Sequence, residues 1–329
     1  MKSSAKLDKI QRMSDKFKGN MALLITSIVW GSGFIAQKLG GEAMPPLAFN
    51  ATRQLMAAIA LLPLATFSVS SSGYFSKEKN TESQIRYKKN RMILAGIVCG
   101  GCLVLGSDLQ QLGLQTVSAG KSGFISATYV VFVPLLNSLF GEKAGKKPIL
   151  CALLALFGFA VMSLKFDGSM TQGDWLTLLS AVGFSAQMLA VSHFVDKDNS
   201  ILLTVLQMAC CGLFGLAFAI PVETPSLADF HNALPILLYT TFIPTCIGYT
   251  GQVVGQRYVG STMAALILSL EAVFAAIFGA ILLGEVMSAR EIIGSAIIFV
   301  AVILGQLEKK PPKEILDEGS GIEQEEPGE

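Results

Sequence analysis

Ten long apolar runs follow one another along this sequence, and they restrict what it can fold into more than any other feature. A helix needs about 20 predominantly apolar residues to cross a hydrocarbon core about 30 Å thick. Runs of that kind lie at about 20–39, 46–68, 91–112, 119–140, 147–165, 173–194, 201–221, 234–256, 261–283 and 289–307. Gly and Pro punctuate them, at Gly40-Gly41, Pro45-Pro46, Gly141, Gly168, Pro221 and Gly284. The runs are too long for barrel strands and lack the apolar/polar alternation those show. Since lipid offers no hydrogen bonds to the backbone, each run is expected to be a helix. The fold class that follows is an all-α polytopic membrane protein with ten transmembrane helices.

Composition agrees. Charged residues make up 15% of the chain, against about 25% for a soluble domain. Residues 1–18, 74–91 and 308–329 hold 8, 8 and 11 of them, so too few remain to cover a soluble body. A net charge of +1, with no basic face on an ordered element, argues against nucleic acid as a partner. The six cysteines all lie in apolar runs. Cys99-Gly-Gly-Cys102 has the form of a redox or metal pair, but no second pair and no nearby His complete a site, so these read as small packing residues. No metal and no cofactor are expected.

Lys and Arg set the orientation. With the N-terminus inside, the inner segments carry 20 of them and the outer ends three, Lys38, Lys165 and Arg290. Both termini are therefore expected in the cytoplasm, in a multi-pass protein of the cell membrane (the bacterial cytoplasmic membrane). A basic tail at 1–19 precedes the first span. An acidic tail at 308–329, with 8 Asp/Glu and 3 Lys, is expected to be disordered.

The halves of the chain resemble each other. Phe34-Ile-Ala-Gln37 reappears as Phe184-Ser-Ala-Gln187; Gln110, Gly113 and Val117 as Gln252, Gly255 and Val259; Ser118, Ser126, Gly141 and Glu142 as Ser261, Ser269, Gly284 and Glu285. The boundaries are 20–166 and 173–307, five spans each. An odd number inserts the second half upside down, so two inverted five-helix repeats are expected, a construction of many secondary transporters whose sites lie near the midplane between the repeats.

Several stretches, in order, resemble the EamA-type family of the drug/metabolite transporter superfamily. Trp30-Gly31-Ser32-Gly33-Phe34 is similar to its Trp-Gly-x-x-Phe opening, Pro45-Pro46 followed by Arg53 to its second span, residues 118–136 to its fourth, and Leu283-Gly284-Glu285 to the end of its ninth. The resemblance covers roughly residues 20–307. Leu270-Glu271-Ala272 stands where the family often has Leu-Glu-Pro, and Thr128-Tyr129 at the equivalent place in the fourth span, so a proline-broken helix does not carry over to either. The resemblance implies a ten-helix transporter of small metabolites, often working outward.

Ionisable groups inside spans are costly and mark function by default. Glu271 lies about 15 Å into the ninth span and Arg53 about 10 Å from the outer end of the second, with Asp108 and Lys121 nearer the outer surface. Glu271 is a candidate to carry a proton or bind a cationic group; the alternative is a structural bond to a neighbouring helix. Arg53 is a candidate fork for a substrate carboxylate, or else pairs with Asp108 and ties the second span to the third. Lys121 can snorkel outward, yet it shares a helix face with Thr128, the repeat counterpart of Glu271, so both faces are expected to look into one central cavity. Asp108, Gln111 and Gln115 form a polar stripe on the third span, and Tyr249, Gln252 and Gln256 form one on the eighth. These read as outer and inner vestibules, with interhelical hydrogen bonding as the alternative. Trp30, Gln37, Tyr129, Gln187 and Gln207 are further lining candidates, and Gly96-x-x-x-Gly100 is a helix-contact motif.

The function these features favour is a secondary transporter of small polar metabolites, amino-acid-like or related, exporting by alternating access in the lipid bilayer. Protons are the candidate coupling ion, since no ATP site is present. An intramembrane enzyme lacks a nucleophile–base pair in this sequence. A membrane sensor or scaffold would rest on the acidic tail alone. Oligomeric state is not encoded in any feature above.

Overall fold

A computed structural model describes residues 2–139, 146–163, 170–196 and 198–306. The acidic tail, Gly141, Glu142, Lys165, Gly168 and Lys197 lie outside them. Among the described residues every regular element is helical. In chain order these are α1 (Lys2–Ala43), α2 (Pro46–Ser72), α3 (Glu82–Gly113), α4 (Ala119–Ser126), α5 (Tyr129–Leu139), α6 (Lys146–Ser163), α7 (Gln172–Phe194), α8 (Ser200–Ala219), α9 (Leu227–Thr240), a π-helical segment (Thr241–Tyr249), α10 (Thr250–Gln256), α11 (Ser261–Leu268), α12 (Glu271–Leu283) and α13 (Ala289–Gln306). Eight helical stretches are long and apolar enough to cross a membrane: 14–43, 46–72, 82–113, 119–138, 172–194, 200–219, 227–256 and 261–283. The two remaining runs form α6 and α13, which pack on each other with Gly158 against the backbone of Gly294.

Burial is distributed as a lipid solvent demands. Large apolar side chains such as Ile59, Phe67 and Ile281 are exposed on the outside, whereas Arg53, Gln54, Gln187, Gln207 and Gln252 are buried. The bundle is held by close backbone approaches at small residues. Gly96 and Gly100 of α3 meet Leu206 and Cys210 of α8, and Gly106 of α3 meets Gly183 of α7.

Three helices begin earlier than their apolar runs. Capping boxes at Thr81/Gln84 and Ser226/Asp229 start α3 and α9, and α1 runs back through the basic segment to Lys2. Hydropathy marks where a helix meets lipid, but a helix starts where its first amides find a cap. At the other end, Gly73 and Gly284 terminate α2 and α12 at φ +65° and +63°, the left-handed conformation that glycine adopts most readily.

The fourth and ninth spans are both broken, although neither has proline at the break. At the first, Thr128 N bonds Ile125 O and Val130 N bonds Ala127 O, both at 3.1 Å; at the second, Leu270 N bonds Ile267 O at 3.3 Å and Ala272 N bonds Ser269 O at 3.2 Å. These i to i−3 bonds tighten one turn. A hydroxyl assists at each place, with Thr128 Oγ1 donating to Ile125 O (2.7 Å) and Ser269 Oγ to Leu266 O (2.6 Å), the local competition with helix bonding that Ser and Thr provide. The helices before the two breaks, Ala119–Ser126 and Ser261–Leu268, are both eight residues long and start 142 residues apart. Tyr129 and Glu271 each open the helix after the break, so it is Tyr129 rather than Thr128 that holds the same helix position as Glu271.

Three carboxylates tie the two halves together at one end of the bundle. Glu285, in the α12–α13 turn, accepts from Lys38 Nζ (3.0 Å), Ala119 N (3.0 Å) and Gly120 N (3.2 Å). Glu223, after α8, accepts from Leu47 N (3.0 Å) and Ala48 N (2.7 Å) and so caps α2. Asp174 of α7 pairs with Lys121 of α4 at 2.8 Å and is fully buried. Burial alone would raise the Glu285 carboxyl, but the Ala119 and Gly120 amides and Lys38 outweigh it and hold it below its ordinary 4.5. A carboxyl depressed in the folded state stabilises fully above its unfolded value, and that contribution is lost as pH falls through the folded one. The gap in thermal midpoint between the wild-type protein and Glu285→Gln is therefore expected to hold from neutral pH down to about 4.5 and to shrink below it. A gap independent of pH would show that the carboxylate charge contributes nothing.

Candidate substrate cavity

Side chains from the facing sides of α1, α2, α3, α5, α7, α10, α12 and the π-helical segment line one common cavity. One side of it is cationic. Arg53, 3% exposed, donates from Nε to Asn50 Oδ1 (2.9 Å), from one terminal nitrogen to Thr245 Oγ1 (3.1 Å) and from the other to Gln37 Oε1 (2.9 Å). A guanidinium has five N–H groups, so one on each terminal nitrogen remains. No carboxylate stands within ion-pair distance of it among the described residues. The Arg53–Asp108 pair considered from sequence is not direct: Asn50 sits between them, its Nδ2 donating to Asp108 Oδ1 and to Ser107 Oγ (2.9 Å).

Another side is anionic. Glu271, 4% exposed, opens α12 directly after the tightened turn. The Tyr129 hydroxyl faces this carboxylate without closing a hydrogen bond of regular geometry. Amides line a third side. Gln187 Nε2 donates to Gln207 Oε1 (3.0 Å), Gln252 Nε2 donates to Gln187 Oε1 (3.0 Å), and Gln110 Nε2 donates to Ser126 Oγ (2.9 Å). Phe34, Phe184 and Met188 contribute apolar surface. Trp30 is set by Pro244. The missing N–H of a proline inside a helix disrupts the regular ladder, the chain widens to a π-helical turn, and Pro244 O accepts from Trp30 Nε1 at 2.9 Å. The Trp30 ring then lies 5.0 Å from that of Tyr249.

Of the side chains expected at a site, Trp30, Gln37, Arg53, Tyr129, Gln187, Gln252 and Glu271 line this one cavity, together with Tyr249. The others lie outside its lining. Asp108 is behind Arg53, Lys121 pairs with Asp174, and neither Lys121 nor Thr128 is part of the lining. Gln111 donates to Gln37 O (2.8 Å), Gln115 to Gln111 O (3.0 Å), and Gln256 to Met188 O and Ser192 Oγ (both 2.9 Å). These are bonds between or within helices. Phe34, Gln110, Phe184, Met188 and Pro244 line the cavity without having been singled out as ligands. Phe34 was marked by the opening motif and by its repeat match with Phe184, and Gln110 only by its repeat match with Gln252; Met188 and Pro244 carried no signal. Asp174, a fourth buried charge beside Arg53, Asp108 and Glu271 among the described residues, was not singled out; the spacing of its capping box with Thr171 is the signal that could have found it.

The sequence profile of the EamA-like transporter family matches residues 17–164 and, a second time, residues 171–305. The chain belongs to the EamA-like transporter family. It is a multi-pass cell-membrane protein, and membership implies a small-molecule substrate and indicates a transporter rather than an enzyme. An uncharacterized transporter of Archaeoglobus fulgidus is 29% identical over 88% of this chain and 85% of its own length. A protein of Streptantibioticus cattleyicolor named a probable terminal-alkyne amino-acid exporter is 25% identical over 87% and 93%. The inner membrane transporter YedA of Escherichia coli is 23% identical over 88% and 90%. One solved crystal structure shares the fold at a TM-score of 0.60 and 15% identity, covering 89% of this chain and 96% of that one.

Proposed function

We propose that this EamA-like transporter exports zwitterionic, amino-acid-like metabolites by alternating access, with the cavity as its substrate site. The observation that carries this reading is that Arg53 and Glu271, both buried and of opposite charge, line one cavity and form no ion pair with each other. A substrate bearing both charges satisfies both groups: the two free N–H groups of Arg53 take a carboxylate as a fork, and Glu271 takes an ammonium group or a proton. The Streptantibioticus relative named as an amino-acid exporter supports the substrate class and the outward direction.

Ten crossings in two inverted five-helix repeats, with boundaries near 20–166 and 173–307, suit this mechanism. The twofold match of the family profile supports that arrangement, as do the paired lining positions Phe34/Phe184, Gln37/Gln187, Gln110/Gln252 and Tyr129/Glu271. Both termini face the cytoplasm in this reading, supported by the 20-to-3 distribution of Lys and Arg. Protons moving through Glu271 would supply the drive.

Uptake and efflux of a mixture of the twenty amino acids by proteoliposomes, read by mass spectrometry, tests the proposal. The wild-type protein is expected to move a subset of them. Arg53→Gln is expected to raise half-saturation roughly ten- to a hundredfold, the range for losing a charge-assisted hydrogen-bonded pair. The amine lacking the carboxylate should be moved equally by both proteins. No transport of any amino acid, or equal losses for amino acid and amine, would overturn the assignment.

A further inference from the structure

The polar chain behind Arg53 ends on a carboxylate that does not reach the cavity. Asp108, on α3, is 7% exposed. Its Oδ1 accepts from Asn50 Nδ2, while its Oδ2 has no partner among the described residues. The second bond of Asn50 Nδ2, to Ser107 Oγ, fixes the amide so that Asn50 Oδ1 meets Arg53 Nε at 2.9 Å. An amide placed between guanidinium and carboxylate transmits orientation and polarisation, but it prevents the two from collapsing into an ion pair. Arg53 thus keeps its free N–H groups for the cavity with a negative charge still in electrostatic reach.

We propose that Asp108 is the counter-ion of Arg53, acting through Asn50, and that it sets how firmly Arg53 holds an anionic group in the cavity. A buried guanidinium without a counter-charge is destabilising, whereas one paired directly has no charge left to offer a ligand. Asp108 at one remove meets both conditions. It is a positioning residue, and its competing charge weakens the hold of Arg53 enough for a carboxylate to leave. The second half of the inference rests on the reading that Arg53 takes a substrate carboxylate; the first half does not.

Two measurements test the halves separately. The first is a double-mutant cycle on thermal midpoints of the purified protein in detergent, with Asp108→Asn, Arg53→Gln and both together. Asn keeps the size of Asp and an acceptor for Asn50, so the variant removes mainly charge. The double variant is expected to lose clearly less than the sum of the single losses, and strict additivity overturns the counter-ion. If Asp108→Asn alone does not fold, its rescue by Arg53→Gln is the same expected result and failure of rescue the overturning one. The second measurement is transport of the twenty-amino-acid mixture. Asp108→Asn is expected to lower half-saturation roughly tenfold and to lower the maximal rate, because the substrate is held longer. A lower maximal rate with half-saturation unchanged marks a merely structural role and overturns the second half. If the wild-type protein moves no amino acid, the cavity reading fails, and the second half falls with it; the cycle still decides the first half.

Discussion

Transport driven by a pH gradient is expected to fall by about a hundredfold in Glu271→Gln, with folding retained. The substitution keeps shape, volume and hydrogen-bonding capacity, and removes one charge and one exchangeable proton. The position makes that loss count. Glu271 is buried at the first residue of α12, directly after the tightened turn, and the facing hydroxyl of Tyr129 closes no hydrogen bond of regular geometry on it, which leaves the carboxylate available to a ligand. A structural glutamate would instead be saturated by bonds to a neighbouring helix, and its loss would appear in the thermal midpoint. Proteoliposomes with an imposed pH gradient, compared with equal pH on both sides, decide between these. Unchanged proton dependence in the variant would remove Glu271 from the coupling mechanism.

Gly183→Leu is expected to yield no folded protein, and Gly183→Ala a midpoint lower by more than any lipid-facing substitution produces. A Cβ at Gly183 would lie 2.5 Å from Gly106 N and 2.8 Å from Gly106 Cα. Both atoms belong to a helix backbone, so no side chain can swing away and α3 must separate from α7. Overpacking of this kind costs about 1–3 kcal/mol where side chains can give way, and more where they cannot. The effect extends to the cavity, because α3 carries Gln110 and α7 carries Phe184 and Gln187. Gly260→Ala is the control: nothing lies within 4 Å of a Cβ there, and no change is expected. Equal midpoints for Gly183→Ala and Gly260→Ala would show that α3 and α7 do not meet closely.

Lining residues were legible from sequence to the extent that membrane burial or internal repetition marked them. Arg53 and Glu271 stood out because a charge in a lipid-spanning segment costs too much to be kept there without a partner or a task. Gln37 and Gln187 stood out because they recur at matched places in the two halves. Lys121 was marked by the same rule of charge, yet it pairs with Asp174 at 2.8 Å, outside the cavity, and the rule cannot see a partner supplied by a distant helix. The broken fourth and ninth spans were not legible. Proline is the familiar signal for a break, whereas here hydroxyl-to-carbonyl bonds from Thr128 and Ser269 accompany the tightened turns.

By itself the sequence determined the helical class, the family and the spanning segments that carry the charged groups, because lipid acts on each segment separately and so leaves its mark on local composition. Tertiary structure alone decided which face of each helix turns inward. Gln110 and Gln111 are neighbours about 100° apart on one helix. The first lines the cavity and the second bonds the Gln37 carbonyl. Nothing in either residue distinguishes them; the rotation of α3 does, and that is set by where Gly106 lets α7 approach.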